Sequence, residues 1–207
     1  MEPELIAHCF FVTFIVVYLL SHLPLDILML LHKGKAKYPS PDFSSFTEAF
    51  LVVGPTITLW LLLFIGPLTF FVTKKDILGL HFFPSSMEWA SRILGIVLMS
   101  IALILEAFGR IARGTYLSKN EAELVTKYSY AIIRHPQYVM YILCFIGFPL
   151  ASLNPFLFAL MIGIKGYYSL AIREEEELMK VFGDTYKQYI ERVGRFIPKF
   201  YHQKKSN

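Results

Sequence analysis

Two polar clusters carry side chains whose types and spacing suit chemistry. One is Arg134-His135-Pro136-Gln137-Tyr138; the other is Glu174-Glu175-Glu176-Glu177. Proline suits the first turn of a helix, where its missing N–H removes no bond. The free N–H groups of such a turn, with Arg134 and His135 beside them, form a positive corner that receives a carboxylate. The alternative reading is a membrane-interface cap, with Tyr138 and Tyr141 as belt aromatics. The four acids sit at the end of an apolar stretch, the wrong end of a helix for its dipole. Successive helical residues turn by about 100°, so at least one of Glu174 and Glu175 faces back toward the Arg-His-Pro corner. A carboxylate there favours a cationic ligand group. Glu176 and Glu177 read as a solvated charge run. Leu178, Phe182, Tyr186 and Tyr189 then recur at spacings of four, four and three. This face either lies in the membrane interface or packs under the bundle. Val193-Gly194-Arg195-Phe196-Ile197-Pro198 closes the pattern.

The elements that must position these residues follow from composition. Of 207 residues, 55% are hydrophobic and 17% charged, against about a quarter charged in soluble domains. An ordinary water-soluble globule and a disordered chain are both excluded. Helical spans need roughly 17–25 apolar residues, and five candidates are present: 5–31, 50–72, 93–108, 138–153 and 156–172. The runs are continuous rather than alternating, which favours helices over a transmembrane barrel. Ser21–Pro24 and Asp26 interrupt the first span, and Gly54-Pro55 and Gly66-Pro67 predict kinks in the second. Leu153-Asn154-Pro155 is a turn with almost no loop. Spans four and five are therefore antiparallel neighbours, which brings Arg134-His135-Pro136 to the depth of Arg173-Glu174-Glu175. The expected fold is all-α, a single polytopic membrane domain over 1–207. Helices one and two with their loops fill 1–92, and 93–207 form the motif-bearing core, ending in a C-terminal interfacial helix.

Charge placement orients the chain. Sixteen Lys and Arg fall on the side holding the first loop (Lys33, Lys35, Lys37), the loop 109–136 and the tail, against three (Lys74, Lys75, Arg92) on the other. The richer side is expected to be cytoplasmic, with the N-terminus outside or lumenal. Glu2 and Glu4, with no Lys or Arg and no small-residue cleavage pattern, argue against a removable signal peptide. Cys9 and Cys144 both lie in apolar runs, so neither a disulfide framework nor a zinc pair is expected, and no other metal site or nucleic-acid partner. Glu106 and Lys165 are charges within spans and functional candidates by default. Glu106 is in reach of Arg110 at i+4, while Asp26 or Glu48 are the candidate partners of Lys165.

The ordered set Arg134-His135-Pro136-x-Tyr138, Glu174-Glu175-x-x-Leu178, Phe182-Gly183-x-x-Tyr186-x-x-Tyr189 and Arg195-x-x-Pro198 resembles the isoprenylcysteine carboxyl methyltransferases and their prokaryotic relatives. The resemblance covers roughly residues 109–200. It implies methyl transfer from S-adenosylmethionine, bound in a cytoplasmic pocket, to a lipophilic acceptor entering from the bilayer, a prenylcysteine-type carboxylate being favoured. It implies that Leu124, Val125, Tyr130, His135, Tyr138 and Glu175 line the cofactor site and that Glu174 stands at the reaction centre. Arg134 is the expected cation for the acceptor's or the cofactor's carboxylate, and His135 the expected base if the acceptor is an amine or thiol. Three positions depart from the family pattern: Leu170 stands where an arginine is usual, Tyr128 where a glycine is usual, and Ala122 where a histidine is frequent. Rival readings are a phospholipid or small-molecule methyltransferase with the same pocket, a sterol-type reductase using NADPH, and a membrane transporter or scaffold with Lys165 and Asp26 on an ion path.

Overall fold

The computed structural model describes residues 3–31, 42–80, 85–117 and 123–199. Five helices follow one another: α1 (Pro3–Leu31), α2 (Phe46–Thr73), α3 (Ser85–Leu117), α4 (Pro136–Ser152) and α5 (Ile162–Arg192). Short 3-10 helices at Tyr128–Ala131 and Pro155–Met161 precede α4 and α5. Among the described residues there is no strand, only one isolated parallel bridge between Ile133 and Gly194. The lysines of the first loop, Lys119 and Ala122 lie outside the described residues.

Among the described residues four helices are long and apolar enough to cross a bilayer; α4, with 17 residues, is shorter. At 1.5 Å per residue it reaches about 25 Å, slightly less than a bilayer's hydrocarbon core. The outward faces carry Val16, Leu20 and Ile27 of α1, Ile57, Leu61 and Leu68 of α2, and Val97, Ile101 and Ile104 of α3, all exposed. Such a surface belongs in lipid, and the chain is an integral membrane protein. The inward faces meet in a core of Phe11, Phe14, Leu59, Leu63, Met99, Met140, Phe145 and Phe148.

Polar contacts fix the alternation of the helices. At one end His8 of α1 meets Asp76 after α2 (Nε2–Oδ1 3.2 Å), and Arg92 of α3 donates to the Ala151 carbonyl at the end of α4. At the other end Arg110 of α3 meets Asp26 of α1 at 3.0 Å, and Arg173 of α5 meets Glu48 of α2 at 2.6 Å. Both expected partners of Lys165 are thus engaged elsewhere, and Lys165 itself is exposed on α5. Glu106 does take Arg110, at 3.0 Å. His22 Nε2 also stands 3.1 Å from Glu106 Oε1, an ion-pair contact without hydrogen-bond alignment.

Several boundaries differ from the sequence reading. α1 runs unbroken through Ser21–Pro24, because Ser21 and His22 bond back to the Tyr18 carbonyl rather than opening the helix. α2 is one helix with Pro55 and Pro67 inside it, a continuity that neither bears out nor contradicts the expected kinks. The tight joint after span four is present: Leu153 adopts a left-handed cap (φ 56°, ψ 35°), and the Asn154 side chain caps Phe156 N–H. The tail is a helical segment that joins α5 across a kink. α5 carries straight past the four glutamates and leaves helical geometry only at Gly183 (φ 49°, ψ −123°), a region open to glycine. Beyond it, Tyr186 and Tyr189 pack with Leu178, Leu124 and Val193. The tail face therefore covers the segment before α4.

Candidate active site

Glu174 and Glu175 sit a third of a turn apart on α5, yet both are buried and both face His135. This is possible because His135 precedes α4 and its ring lies between the carboxylates. Nδ1 is 3.2 Å from Glu174 Oε2, and Nε2 is 3.0 Å from Glu175 Oε1. The Tyr138 ring, one helical turn on, stacks parallel to the imidazole at 5.2 Å, and its hydroxyl faces Glu174. Burial pulls the imidazole toward its neutral form, but the hydrogen bonds and charges of the two carboxylates outweigh it and raise its pKa. With an acid at each nitrogen, His135 is held as a two-fold donor.

The two acids are not equivalent. Glu175 Oε1 receives Arg134 Nε at 3.0 Å and Arg195 Nε at 2.9 Å besides His135, while Oε2 receives Arg195 Nη2 at 2.8 Å. Glu174 has only His135 and, at 3.7 Å, Arg113 Nη2 as charged neighbours. Glu175 is thus an anchor inside the protein, and Glu174 is the carboxylate with capacity to spare.

Every guanidinium near the pair faces an acceptor within the chain. Arg134 sends Nε and Nη2 to Glu175 and Nη1 to the Val193 and Ile190 carbonyls. Arg113 sends Nε to the Tyr130 hydroxyl (2.7 Å) and Nη1 to Gln137 (3.4 Å). Arg173, next to Glu174 in sequence, points to Glu48 instead and does not take the place of an arginine at Leu170, which is buried in the apolar core.

The remaining expected cofactor residues, Leu124, Val125 and Tyr130, lie in the segment that precedes α4. Val125 and Tyr130 pack against Ala112 of α3, and the Tyr130 carbonyl accepts from Tyr189 at 2.6 Å. Leu124 lines a cavity of about 660 Å³ together with Thr126, Phe182, Gln188, Tyr189 and Arg192. Glu174 and His135 are not among that cavity's lining residues; the Tyr189–Tyr130 bond stands at its wall. Tyr128, at the glycine position, adopts φ 55°, so the backbone there keeps a conformation that glycine enters without cost. Sequence reasoning gave Arg195 no role at the carboxylates. The bridge that delivers it joins residues 61 positions apart and has no local signature.

The fold and the site define an integral membrane protein that gathers a buried acid pair and an imidazole at one end of a helical bundle. The family described as phospholipid methyltransferase matches residues 90–185, which include the whole Arg-His-Pro corner and both acids. Methanethiol S-methyltransferase 1 of Bradyrhizobium diazoefficiens is 38% identical over 69 residues, 33% of this chain and 24% of that protein. Methanethiol S-methyltransferase of Pseudomonas deceptionensis is 33% identical over 70 residues, 33% of this chain and 26% of that protein. Methanethiol S-methyltransferase 2 of B. diazoefficiens is 31% identical over 96 residues, covering 46% and 36%. The chain thus spans about a quarter to a third of the length of the curated relatives it matches. These matches support the isoprenylcysteine carboxyl methyltransferase-like family to which the motifs pointed.

Proposed function

We propose that the protein transfers a methyl group from S-adenosylmethionine to an uncharged, soft nucleophile of the thiol class that reaches the site from the bilayer. The observation that carries the reading is Glu174, a buried carboxylate with an incomplete set of partners beside the first turn of α4. When bound, the donor supplies an electrophilic methyl group on a positively charged sulfur. A carboxylate in a water-poor setting holds such a cation in line for attack. An α-helix leaves its first-turn N–H groups without intrahelical partners, and those of α4 suit the donor's carboxylate end. Val125 and Tyr130, with Leu124 behind them, supply the apolar wall.

The acceptor class follows from the cations. A carboxylate acceptor requires an uncommitted guanidinium at the acid pair; Arg113, Arg134 and Arg195 are bonded to acceptors within the chain. Arg173, whose Nε and Nη2 make no hydrogen bond, is turned away to Glu48 of α2. Arg134 accordingly serves by holding Glu175 rather than by meeting substrate. The names of the relatives point to sulfur in the same way. A thiol gives up its proton as its sulfur–carbon bond to the methyl group forms, while the methyl group's bond to the donor sulfur would break and the donor would leave as a neutral thioether. His135, already a donor at both nitrogens, does not take the proton; the Glu174 carboxylate does and returns it to water. By charge placement this end of the bundle faces the cytoplasm.

The test is incubation of the purified protein with methyl-labelled S-adenosylmethionine and separate short alkyl thiols, prenylcysteines and phospholipids. Label is expected in the thioether. Transfer to a prenylcysteine carboxyl group instead would overturn the acceptor class. Saturable binding of NADPH with none of S-adenosylmethionine would overturn methyl transfer itself.

A further inference from the structure

We infer that Arg195, carried by the seven residues that follow α5, is a positioning residue: it fixes Glu175, Glu175 fixes the His135 ring, and the ring fixes Glu174. The inference rests on the methyl-transfer reading above, but its geometry is independent of any ligand.

After Arg192 the chain leaves the helix and runs beside residues 133–135. Arg134 N–H donates to the Gly194 carbonyl at 2.8 Å, and His135 N–H donates to the Arg195 carbonyl at 3.2 Å. These two bonds set the backbone of the residues that precede α4. The next turn is tight: a Cβ on Gly194 would collide with the Ile197 carbonyl oxygen, so only glycine fits. The turn aims the Arg195 guanidinium at Glu175, where Nε and Nη2 each take one carboxylate oxygen. Its other side covers the Tyr168 ring at 5.3 Å. Phe196 then meets both Tyr168 (6.1 Å) and the His135 ring (6.0 Å) edge-on. Lys199 ties the segment back to the Ile190 carbonyl at 2.6 Å.

The fork matters because Glu175 Oε1 is shared among Arg134, His135 and Arg195. A two-point contact stops the carboxylate from rotating about its own axis. Without it, Oε1 swings and the imidazole loses the anchor that keeps Nδ1 on Glu174. The groups around His135 are Glu174 and Glu175 of α5, Tyr138 of α4, and, behind the acids, Arg113, Arg134 and Arg195. Arg195 is therefore one of three cations opposing a further positive charge on the ring.

Two variants test the inference, R195Q and R195K, each read in two ways. Steady-state methyl transfer is expected to show kcat lowered about 10–100-fold in R195Q, as for a displacement of order 1 Å, with the donor's KM within a few-fold. In a donor-free arm, the His135 titration is followed by NMR of ¹⁵N-histidine-labelled protein and assigned with His135→Gln. Loss of the Arg195 charge is expected to move that titration to higher pH, whereas R195K, keeping charge without the fork, leaves it near wild type and still lowers kcat. Unchanged kcat and unchanged titration in R195Q overturn the inference. If R195Q does not fold, R195K decides alone, and a wild-type kcat there overturns it. Failure of both variants to fold overturns it as well, since Arg195 is then a structural residue only. A wild-type protein that transfers no methyl group would refute the proposed function, while the NMR arm would still judge Arg195.

Discussion

Replacing Glu175 by glutamine leaves three cations facing one another around a neutral amide. Arg134, His135 and Arg195 make five contacts of 2.8–3.0 Å with this carboxylate. Removing one side of such a buried cluster costs about 3–5 kcal/mol, which for a chain of this size lowers the melting temperature by about 6–20 °C. Glu174→Gln is different. Its charged contacts are only two, at 3.2 and 3.7 Å, the glutamine oxygen can still accept from the Tyr138 hydroxyl, and its melting temperature is expected to stay within a few degrees of wild type. Its turnover is expected to fall about 10²–10³-fold, the usual loss for one positioned electrostatic group. Thermal unfolding in detergent, followed by tryptophan fluorescence, and single-turnover methyl transfer measure the two quantities on the same preparations. A Glu175→Gln variant as stable as wild type, or a Glu174→Gln variant with normal turnover, would refute this division of labour.

His135 makes stability pH-dependent with a defined sign. Its folded pKa is raised above the ordinary 6.5, so its contribution is complete below that value and is lost as pH rises through the raised one. Melting temperature against pH should show this decline in wild type and lack it in His135→Gln. At Tyr128, φ 55° is worst for a β-branched side chain. Tyr128→Val should melt below wild type and below Tyr128→Gly in parallel thermal scans; equal melting of the two variants would contradict it. Lys165 is exposed and belongs to no part of the site, so Lys165→Met should keep methyl transfer within about two-fold, as a radiolabel assay would show. Abolished transfer in that variant would favour the ion-path reading.

What the sequence reveals about this site depends on how its parts are brought together. The approach of Arg134-His135 to Glu174-Glu175 follows from one tight turn and two antiparallel helices, so topology alone predicts it. Burial of both acids does not follow, since helical spacing guarantees one inward position and an imidazole set between the two accommodates the second. The surroundings of Arg134 are hidden for a related reason: its type suits an anionic ligand, but its partners Glu175, Val193 and Ile190 are 41 to 59 residues away. Arg195 reaches the site through a single backbone bridge, which leaves no periodic trace. The unbroken path of α1 through Pro24 has no signal in the sequence, and the Ser21 and His22 side chains that would suggest a turn instead bond back to the Tyr18 carbonyl. The left-handed backbone at Tyr128 has no glycine in this sequence to announce it.

Residues 193–199 leave the ribosome after every other segment of the site. Both acids and the imidazole are thus made before the arginine that grips one of them, and the clamp on Glu175 closes only once residues 193–199 have folded back onto Arg134 and His135.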